Sequence, residues 1–479
     1  MKLLKKIIIL FTGIYFLTSC EKTLETLPKN SIDASVALAD ATGIEGLLNA
    51  AYNDLQNTTY YGRDFIVVSE VLSDNMRVVS SNSNRFVNES NNAVASTINI
   101  WARAYATINK LNGIIENVDA TPGFTDARRK QVKGEALFLR ALVYFDLAKS
   151  YGYNPNRIPA GKSDLGVPVV LKYVKAFPGD IVFPARNKNS DVFAQVKTDL
   201  DAAISLLVID NSLAPIHATK VAALGYRARL SLFLEEWADA VNYSTQVIDQ
   251  QGATYNKFVV LPADYNTIWT SKSSPESIFE LNFEISESTG SDMLTSIYTR
   301  SNPVTTAGSG YGDLAPQANL MADYETGDVR KNLLIPVTKG GEAILWNQKY
   351  PAAKGAQLDN IKLMRISEMY LTRAEANMRL NNTAVAQTDL DKIRVRAGLG
   401  VIPVTLAAVL KERRVELAYE GFRWFDLIRL GLNVNKSTTT LPANATPNST
   451  IPFDDFKILA RIPQTEIDIN KQLIQNFGY

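Results

Sequence analysis

Apolar residues recur every three to four positions in several long stretches of this chain. Between 97 and 118, Ile100, Ala104, Ile108, Leu111 and Ile115 share one stripe, and 125–151 continues with Val132, Ala136, Leu139 and Val143. That spacing predicts two amphipathic helices. The intervening TPGFTD carries a turn-forming Pro-Gly and a capping-type Thr or Asp, so the two should form an antiparallel hairpin. The same helical pattern returns over 190–207, 218–249 and 362–397, the last with Leu363, Ile366, Tyr370, Ala374 and Met378 on its stripe. Arg140-Ala141, Arg227-Ala228 and Arg373-Ala374 each fall inside such a helix, and in the latter two Ala240 and Ala386 follow twelve residues on. Small residues there let paired helices approach, which is tetratricopeptide-like spacing.

The pattern breaks in three insertions. Residues 152–189 are rich in Pro and Gly, 252–360 mix Gly, Ser, Thr and aromatics, and 432–452 form a Thr/Asn/Pro loop. Within the second, SIFELNFEIS alternates Phe279, Leu281, Phe283 and Ile285 with Glu280, Asn282 and Glu284, which predicts a half-buried strand with a solvated carboxylate face. The expected fold is mostly α, a helical-pair scaffold with long loop-rich insertions and a few short strands. Long aromatic-bearing loops on a rigid scaffold are where binding sites are usually built.

Composition removes much chemistry. The 479 residues hold one Cys and one His, which excludes Cys/His zinc sites, internal disulfides and nearly every histidine-based triad. The histidine, His217, precedes an Ala- and Leu-rich helix and reads as structural. The net charge of +1, with no basic tract after the first six residues, argues against nucleic acid as a partner. There is no GxxxxGK[ST] loop or GxGxxG fingerprint, and no cofactor is expected.

The N-terminus adds a targeting signal. Lys2, Lys5 and Lys6 precede an apolar run of eleven residues, 7–17, too short to span a bilayer core of about 20 residues. Leu17-Thr18-Ser19-Cys20 then places small residues before the one cysteine, like a bacterial lipobox. Residues 1–19 read as a lipoprotein signal peptide, Cys20 as the acylated lipid anchor, and 20–30 as a polar tether. Residues 31–479 read as the folded domain. Removing 1–19 takes away three lysines and no acid, which turns the net charge to −2.

Taken together, the chain resembles the SusD/RagB family of outer-membrane nutrient-binding lipoproteins of the Bacteroidetes. The likeness rests on the lipobox and on YGRDFIVVSEVLSDN (61–75), WARAYATINKLNGII (101–115) and KGEALFLRALVYFDLAKSYG (133–152). It continues with RISEMYLTRAEA (365–376), ERRVELAYEGFRWFDLIRLG (412–431) and RIPQTEIDINKQLIQNFGY (461–479). The resemblance implies a SusD-like fold of four tetratricopeptide-like helix pairs with a variable loop-rich part. It also implies capture of glycans or peptides and a SusC-like TonB-dependent transporter as partner.

The charged ERR…EGFRWFDL segment invites a catalytic reading, with Glu412, Glu416, Glu420 and Asp426 as acids. A scaffold role is the better expectation: Gly421 should end the helix, Trp424 and Phe425 should enter the core, and the arginines should pair with the carboxylates. Glu280 and Glu284 on the predicted strand stand about 13 Å apart, too far for either glycosidase geometry. Non-enzymatic binding is therefore expected. A pyranose offers an apolar face and a rim of hydroxyls, so its site needs aromatic platforms flanked by hydrogen-bonding side chains. The loop candidates are Phe86, flanked by Asn84, Arg85 and Asn88, together with Trp269, Tyr298 and Tyr311, the last held between Gly310 and Gly312. Trp101 and Tyr105, one helical turn apart, are assigned to the core. The expected function is a cell-surface lipoprotein that binds an oligosaccharide or polysaccharide and delivers it to the transporter. The alternatives are a peptide-binding member of the family, a glycoside hydrolase using loop carboxylates, and a tetratricopeptide-type protein adaptor.

Overall fold

A computed structural model describes residues 38–94, 97–175, 181–209, 214–250, 261, 263–271, 274–299, 310–437 and 450–479. The signal peptide, Cys20 and the tether lie outside the described residues, as do 252–260 and 300–309 of the second insertion and 438–449 of the third.

Helix α1 (Ala41–Leu55) starts where the Asp40 side chain accepts from the Gly43 amide, and buries Ile44, Leu48, Ala51, Tyr52 and Leu55 on one face. Helix α2 (Asp64–Leu72) is buried from its second residue onward. The predicted hairpin is α3 (Trp101–Asn117) and α4 (Asp126–Tyr151). Thr125 caps α4 by accepting from the Arg128 amide, and every residue of α4 from Gly134 to Tyr151 is buried. Next come α5 (Asn189–Leu206), α6 (Lys220–Phe233) and α7 (Trp237–Ile248). The segment 218–249 is thus two helices, separated at Glu235, whose φ is +60°. After the second insertion come α8 (Ile366–Arg379), α9 (Thr383–Arg396), α10 (Leu406–Glu416) and α11 (Arg423–Leu430). Each helix from α3 to α9 packs on the next, giving the tetratricopeptide-like scaffold.

Three helix pairs share a device that the sequence pattern did not disclose. The arginine of each Arg-Ala dipeptide reaches an aspartate on the following helix. Arg140 of α4 grips both oxygens of Asp199 on α5 at 2.8 Å, and Arg373 of α8 grips both oxygens of Asp389 on α9 at 2.8 Å. Arg227 of α6 reaches Asp239 on α7 at 3.1 Å. The alanines act as expected: Ala240 packs with Leu232 and Ala376, and Ala374 with Leu390 and Val409.

Among the described residues, four two-stranded antiparallel sheets complete the fold. Strand β1 (Met76–Val78) pairs with β3 (Leu314–Pro316), β2 (Ser277–Leu281) with β6 (Ile361–Arg365), β4 (Leu334–Lys339) with β5 (Glu342–Asn347), and β7 (Val434–Asn435) with β8 (Thr450–Ile451). Leu363, predicted to open a helical stripe, lies in β6. That strand packs so tightly on α6 that a Cβ at Gly225 would overlap the Met364 sulfur.

The predicted strand needs correction. Phe279, Leu281 and Phe283 are buried, but the strand stops at Leu281, Ile285 is 76% exposed, and Glu280 is not solvated. Both faces of β2 are covered. Phe279 meets Phe138 and Tyr226 edge-on, while Glu280 is buried and accepts from Asn360 Nδ2 at 2.8 Å. Glu284 remains exposed. Helix α10 also ends at Glu416, before Gly421, in a turn that holds Tyr419 at φ +73° and Gly421 at φ +83°.

Candidate functional site

The four candidate aromatics separate into two places. Trp269 is fully buried, with the cationic ends of Lys349, Arg365 and Lys362 within 4.9–5.2 Å of its ring. Tyr298 is also fully buried; it stacks on Tyr350 at 5.8 Å and donates to the Tyr419 carbonyl at 3.0 Å. Neither ring can receive a sugar face, so both are core residues and not platform residues. Trp101 is buried, and Tyr105 is partly buried and donates to the Pro168 carbonyl at 2.7 Å.

Phe86 and Tyr311 behave differently. Both are half-buried, and one charged cluster connects them. The loop after β1 holds Asn84 at φ +62° and Phe86 at φ +59°, a left-handed conformation that costs a side-chain-bearing residue about 1–3 kcal/mol and persists only under surrounding constraint. The constraint is visible. Ser83 N donates to Asp313 Oδ2 at 3.1 Å, and Asn84 N donates to Asn82 Oδ1 at 2.8 Å.

The second loop is fixed as firmly. The amides of Tyr311 and Gly312 both donate to the Ser296 carbonyl, at 2.6 and 2.9 Å, and Lys339 Nζ donates to the Tyr311 carbonyl at 2.6 Å. Gly312 sits at φ +55° against Trp346, where a Cβ would come within 2.7 Å of the indole. The pairing of β1 with β3 holds the two loops side by side.

The side chains then converge. The Arg85 guanidinium lies 4.1 Å from the Tyr311 ring centroid, and the Arg63 guanidinium 5.6 Å from that of Phe86. Asp292 joins the two arginines, with Arg63 Nη1 at 2.8 Å and Arg85 Nη2 at 3.4 Å. Arg63 also binds Asp64 at 2.6 Å, and Tyr311 donates to Ser291 Oγ at 3.3 Å. Burial raises the Asp64 carboxyl above its ordinary range, against the pull of Arg63. Two aromatic rings, each with a guanidinium over it, a carboxylate and a hydroxyl are thus linked in one partly exposed cluster, with 34% of the Arg85 side chain and 47% of that of Asp292 exposed. Guanidinium and carboxylate groups match the acceptors and donors of adjacent sugar hydroxyls, and the rings match an apolar sugar face. Arg63, Ser291 and Asp292 were not anticipated. Arg63 lies within the 61–75 motif, but no local feature of the sequence marks its meeting with Asp292, 229 positions away.

The ERR…EGFRWFDL segment is a buried ionic framework. Glu416 meets Arg396 at 2.5 Å and Arg330 and Arg365 at 3.1 Å; Glu420 meets Lys349 and Arg365 at 2.7 and 2.8 Å. Asp426 is shared by Arg413 and Arg429 at 3.0 and 2.7 Å, and Arg423 binds Asp74 at 2.6 Å. Nearby arginines hold the Glu416, Glu420 and Asp426 carboxyls below their ordinary range despite burial. Trp424 and Phe425 are buried. A cavity beside Phe65, Phe145 and Phe422 has about 50 Å³, room for a few waters and not for a sugar ring.

Two family profiles match the chain. The one described as "SusD family" covers residues 346–479, and the one described as "Starch-binding associating with outer membrane" covers 23–232. SusD-like protein P38 of Formosa agariphila is 26% identical over 469 residues, spanning 86% of this chain and 88% of the relative. Starch-binding protein SusD of Bacteroides thetaiotaomicron is 33% identical over 123 residues, 25% of this chain and 22% of that protein. The crystal structure of a SusD-like carbohydrate binding protein from Bacteroides vulgatus superposes with a TM-score of 0.75 at 23% identity, covering 91% of this chain and 97% of that one. The chain belongs to the SusD/RagB family. At the family level this is a carbohydrate-binding group associated with the outer membrane.

Proposed function

We propose that this chain is a cell-surface lipoprotein, anchored through acylated Cys20, that holds an oligosaccharide or polysaccharide against Phe86 and Tyr311 and delivers it to a SusC-like TonB-dependent transporter without cleaving it. The observation that carries the reading is the union of Tyr311, Arg85, Asp292, Arg63 and Phe86 on one partly open surface. The names of the relatives support the ligand class, since one is a starch-binding protein and a structural neighbour is a carbohydrate binding protein. Binding without hydrolysis is supported by the site chemistry, because both carboxylates of the cluster are engaged by Arg63.

Isothermal titration with maltoheptaose and other neutral oligosaccharides, paired with reducing-end analysis, tests the reading. Saturable heat without new reducing ends is expected. Turnover that disappears when Asp64 or Asp292 is replaced would establish a hydrolase instead. For the anchor, Cys20→Ala should move the protein from the membrane to the soluble fraction, and unchanged detergent partitioning would remove the lipoprotein assignment.

A further inference from the structure

A cleft lies between α1 and the end of β2. It has a volume of about 380 Å³. We infer that it is a separate subsite for a neutral, polyhydroxylated ligand, an oligosaccharide, recognised by Asn49, Asn53, Gln56, Asn282, Glu287 and His217. The inference takes its ligand class from the function proposed above, but its residues are different.

Helical spacing accounts for one wall. Asn49 and Asn53 are four apart along α1, and Tyr52 stands four before Gln56 at its end, so an amide row runs beside an aromatic floor. The Asn53 amide is loosely committed. Asn53 Nδ2 lies 3.3 Å from both Gln56 Oε1 and Glu287 Oε1, long bonds that a ligand hydroxyl can replace at little cost. The opposite wall is firmer: Lys354 Nζ donates to Asn282 Oδ1 at 2.6 Å, Gln56 Nε2 donates to the Asn282 carbonyl, and Glu284 N donates to Glu287 Oε2 at 2.7 Å. Asn282 is held at both ends, since its Nδ2 also donates to Glu284 Oε1 at 2.7 Å, so the exchangeable amides are those of Asn49 and Asn53, each with a donor and an acceptor that complement a sugar diol. Ala50, Ile216 and Leu281 supply apolar surface between them.

His217 gives the cleft a defined polarity. Its ring lies 4.7 Å from that of Tyr52, and Nδ1 stands 2.8 Å from Glu135 Oε2. The Glu135 carboxylate is buried and already accepts from Tyr52 at 2.8 Å, Arg128 at 3.1 Å and Gln131 at 3.2 Å. A carboxylate is an acceptor, so Nδ1 carries the hydrogen between them and Nε2 is the ring nitrogen left for a ligand. An imidazole nitrogen, amides and one carboxylate suit the hydroxyls of a sugar, which both donate and accept. The one cation described at the wall, Lys354, is engaged by Asn282 and Glu284, so little free positive charge is left to attract an anionic sugar.

The two sites share a segment. Glu287 belongs to the cleft, while Ser291 and Asp292, a few residues on, belong to the cluster around Tyr311. They can still be distinguished, because His217 is the one histidine in the chain and its imidazole nitrogens give a single, unambiguous NMR signature. The experiment titrates the full mature chain with maltohexaose, cellohexaose, xylohexaose and mannohexaose, and with tetragalacturonate as the anionic arm. At least one neutral hexasaccharide should shift the His217 Nε2 resonance saturably, and tetragalacturonate should not. The shift should persist in a Phe86→Ala/Tyr311→Ala variant with its midpoint within about twofold. It should vanish in Asn53→Ala/Gln56→Ala and also in Asn49→Arg, a substitution at an exposed position of α1 that narrows the mouth without touching the floor. Calorimetric binding that disappears in the Phe86/Tyr311 variant while the His217 signal stays still overturns the cleft and leaves the proposed function standing. A shift produced by tetragalacturonate alone overturns the neutral-ligand assignment. Absence of heat with every neutral hexasaccharide overturns both readings.

Discussion

Arginine, carboxylate and aromatic side chains meet in two regions of this molecule, around Arg365 and around Tyr311. Around Arg365 the charges are buried and each is compensated: Glu276, Glu416 and Glu420 all reach its guanidinium within 2.8–3.1 Å, beside the buried ring of Trp269. Around Tyr311 the same three residue types remain partly open to solvent, and the Arg85–Asp292 contact is long at 3.4 Å. Desolvated charges must be matched in place, so the first region tolerates no movement and no substitution of one partner. Half-exposed charges keep water as an alternative partner and can exchange it for a ligand's hydroxyls. Burial, and not residue type, separates framework from recognition surface.

The sharpest way to break this contrast is to delete the central cation. Arg365→Met should leave three buried carboxylates under-compensated and cost about 3–5 kcal/mol, seen as a large drop in the urea midpoint. A variant that unfolds with the wild-type midpoint would show that the network is not an obligate framework. Trp269→Ala belongs to the same side of the comparison. It should cost about 3–5 kcal/mol of stability, while the molecules that remain folded bind ligand as before.

A pH titration probes the border of the buried region. Burial pushes the Glu70 carboxyl up to about 7 from 4.5, against hydrogen bonds from Asn75 and Gly421. The folded chain therefore keeps that proton to higher pH than the unfolded chain does, so this group's contribution makes stability fall as pH rises from about 4.5 to about 7. Glu416, Glu420 and Asp426, held low, act in the opposite sense, and their contribution is lost only as pH falls below the ordinary carboxylate range. Burial also pushes the Asp359 carboxyl up to about 6, with the same sign, so denaturant midpoints measured from about pH 5 to about pH 8 should decline for the wild type and decline less steeply in Glu70→Gln. A slope unchanged by that substitution would assign the effect to another group.

The open cluster should respond more mildly. Tyr311→Ala should weaken oligosaccharide binding by about 1–3 kcal/mol with the melting transition almost unchanged. A folded variant with undiminished affinity would return Tyr311 to the role of a loop anchor. The smallest expected effect is that of salt. A neutral sugar brings no charge, so its affinity should change by less than about twofold between low and high ionic strength, whereas a steep salt dependence would identify an anionic ligand.

The helical scaffold was legible because its signals are local. Thr125 caps α4 as its position before the apolar stripe predicts, and Ala104, Ile108 and Leu111 of the periodic stripe are buried on α3, with Ile115 partly so. The limits are equally physical. Leu363 fits a helical stripe yet belongs to a strand, because its pairing partner is β2, far away in the chain. Glu280 looked solvated in an alternating pattern, but that pattern assumes one open face and β2 has none. Aromatic residues in Gly/Ser/Thr-rich sequence say nothing of their own exposure: Phe86 and Tyr311 stayed near the surface, while Trp269 and Tyr298 went to the core. The Arg63–Asp292 contact joins separate segments and has no local trace in either.

The arginine–aspartate joints of the scaffold divide the molecule into parts that inheritance can treat differently. Arg140–Asp199, Arg227–Asp239 and Arg373–Asp389 each connect one helix to its successor, while the long stretch 252–360 leaves after α7 and rejoins before α8. A joint can change only in concert, since losing one partner strands the other's charge. The inserted stretch is held to the scaffold by the same kind of bond at Glu276, Arg330 and Lys349, but lengthening the loops between those points costs little because closure entropy grows slowly with loop length. Descendants of this chain can therefore acquire new surfaces by exchanging whole loops while passing on the same helical pairs, so that what the protein holds drifts faster than the frame that presents it.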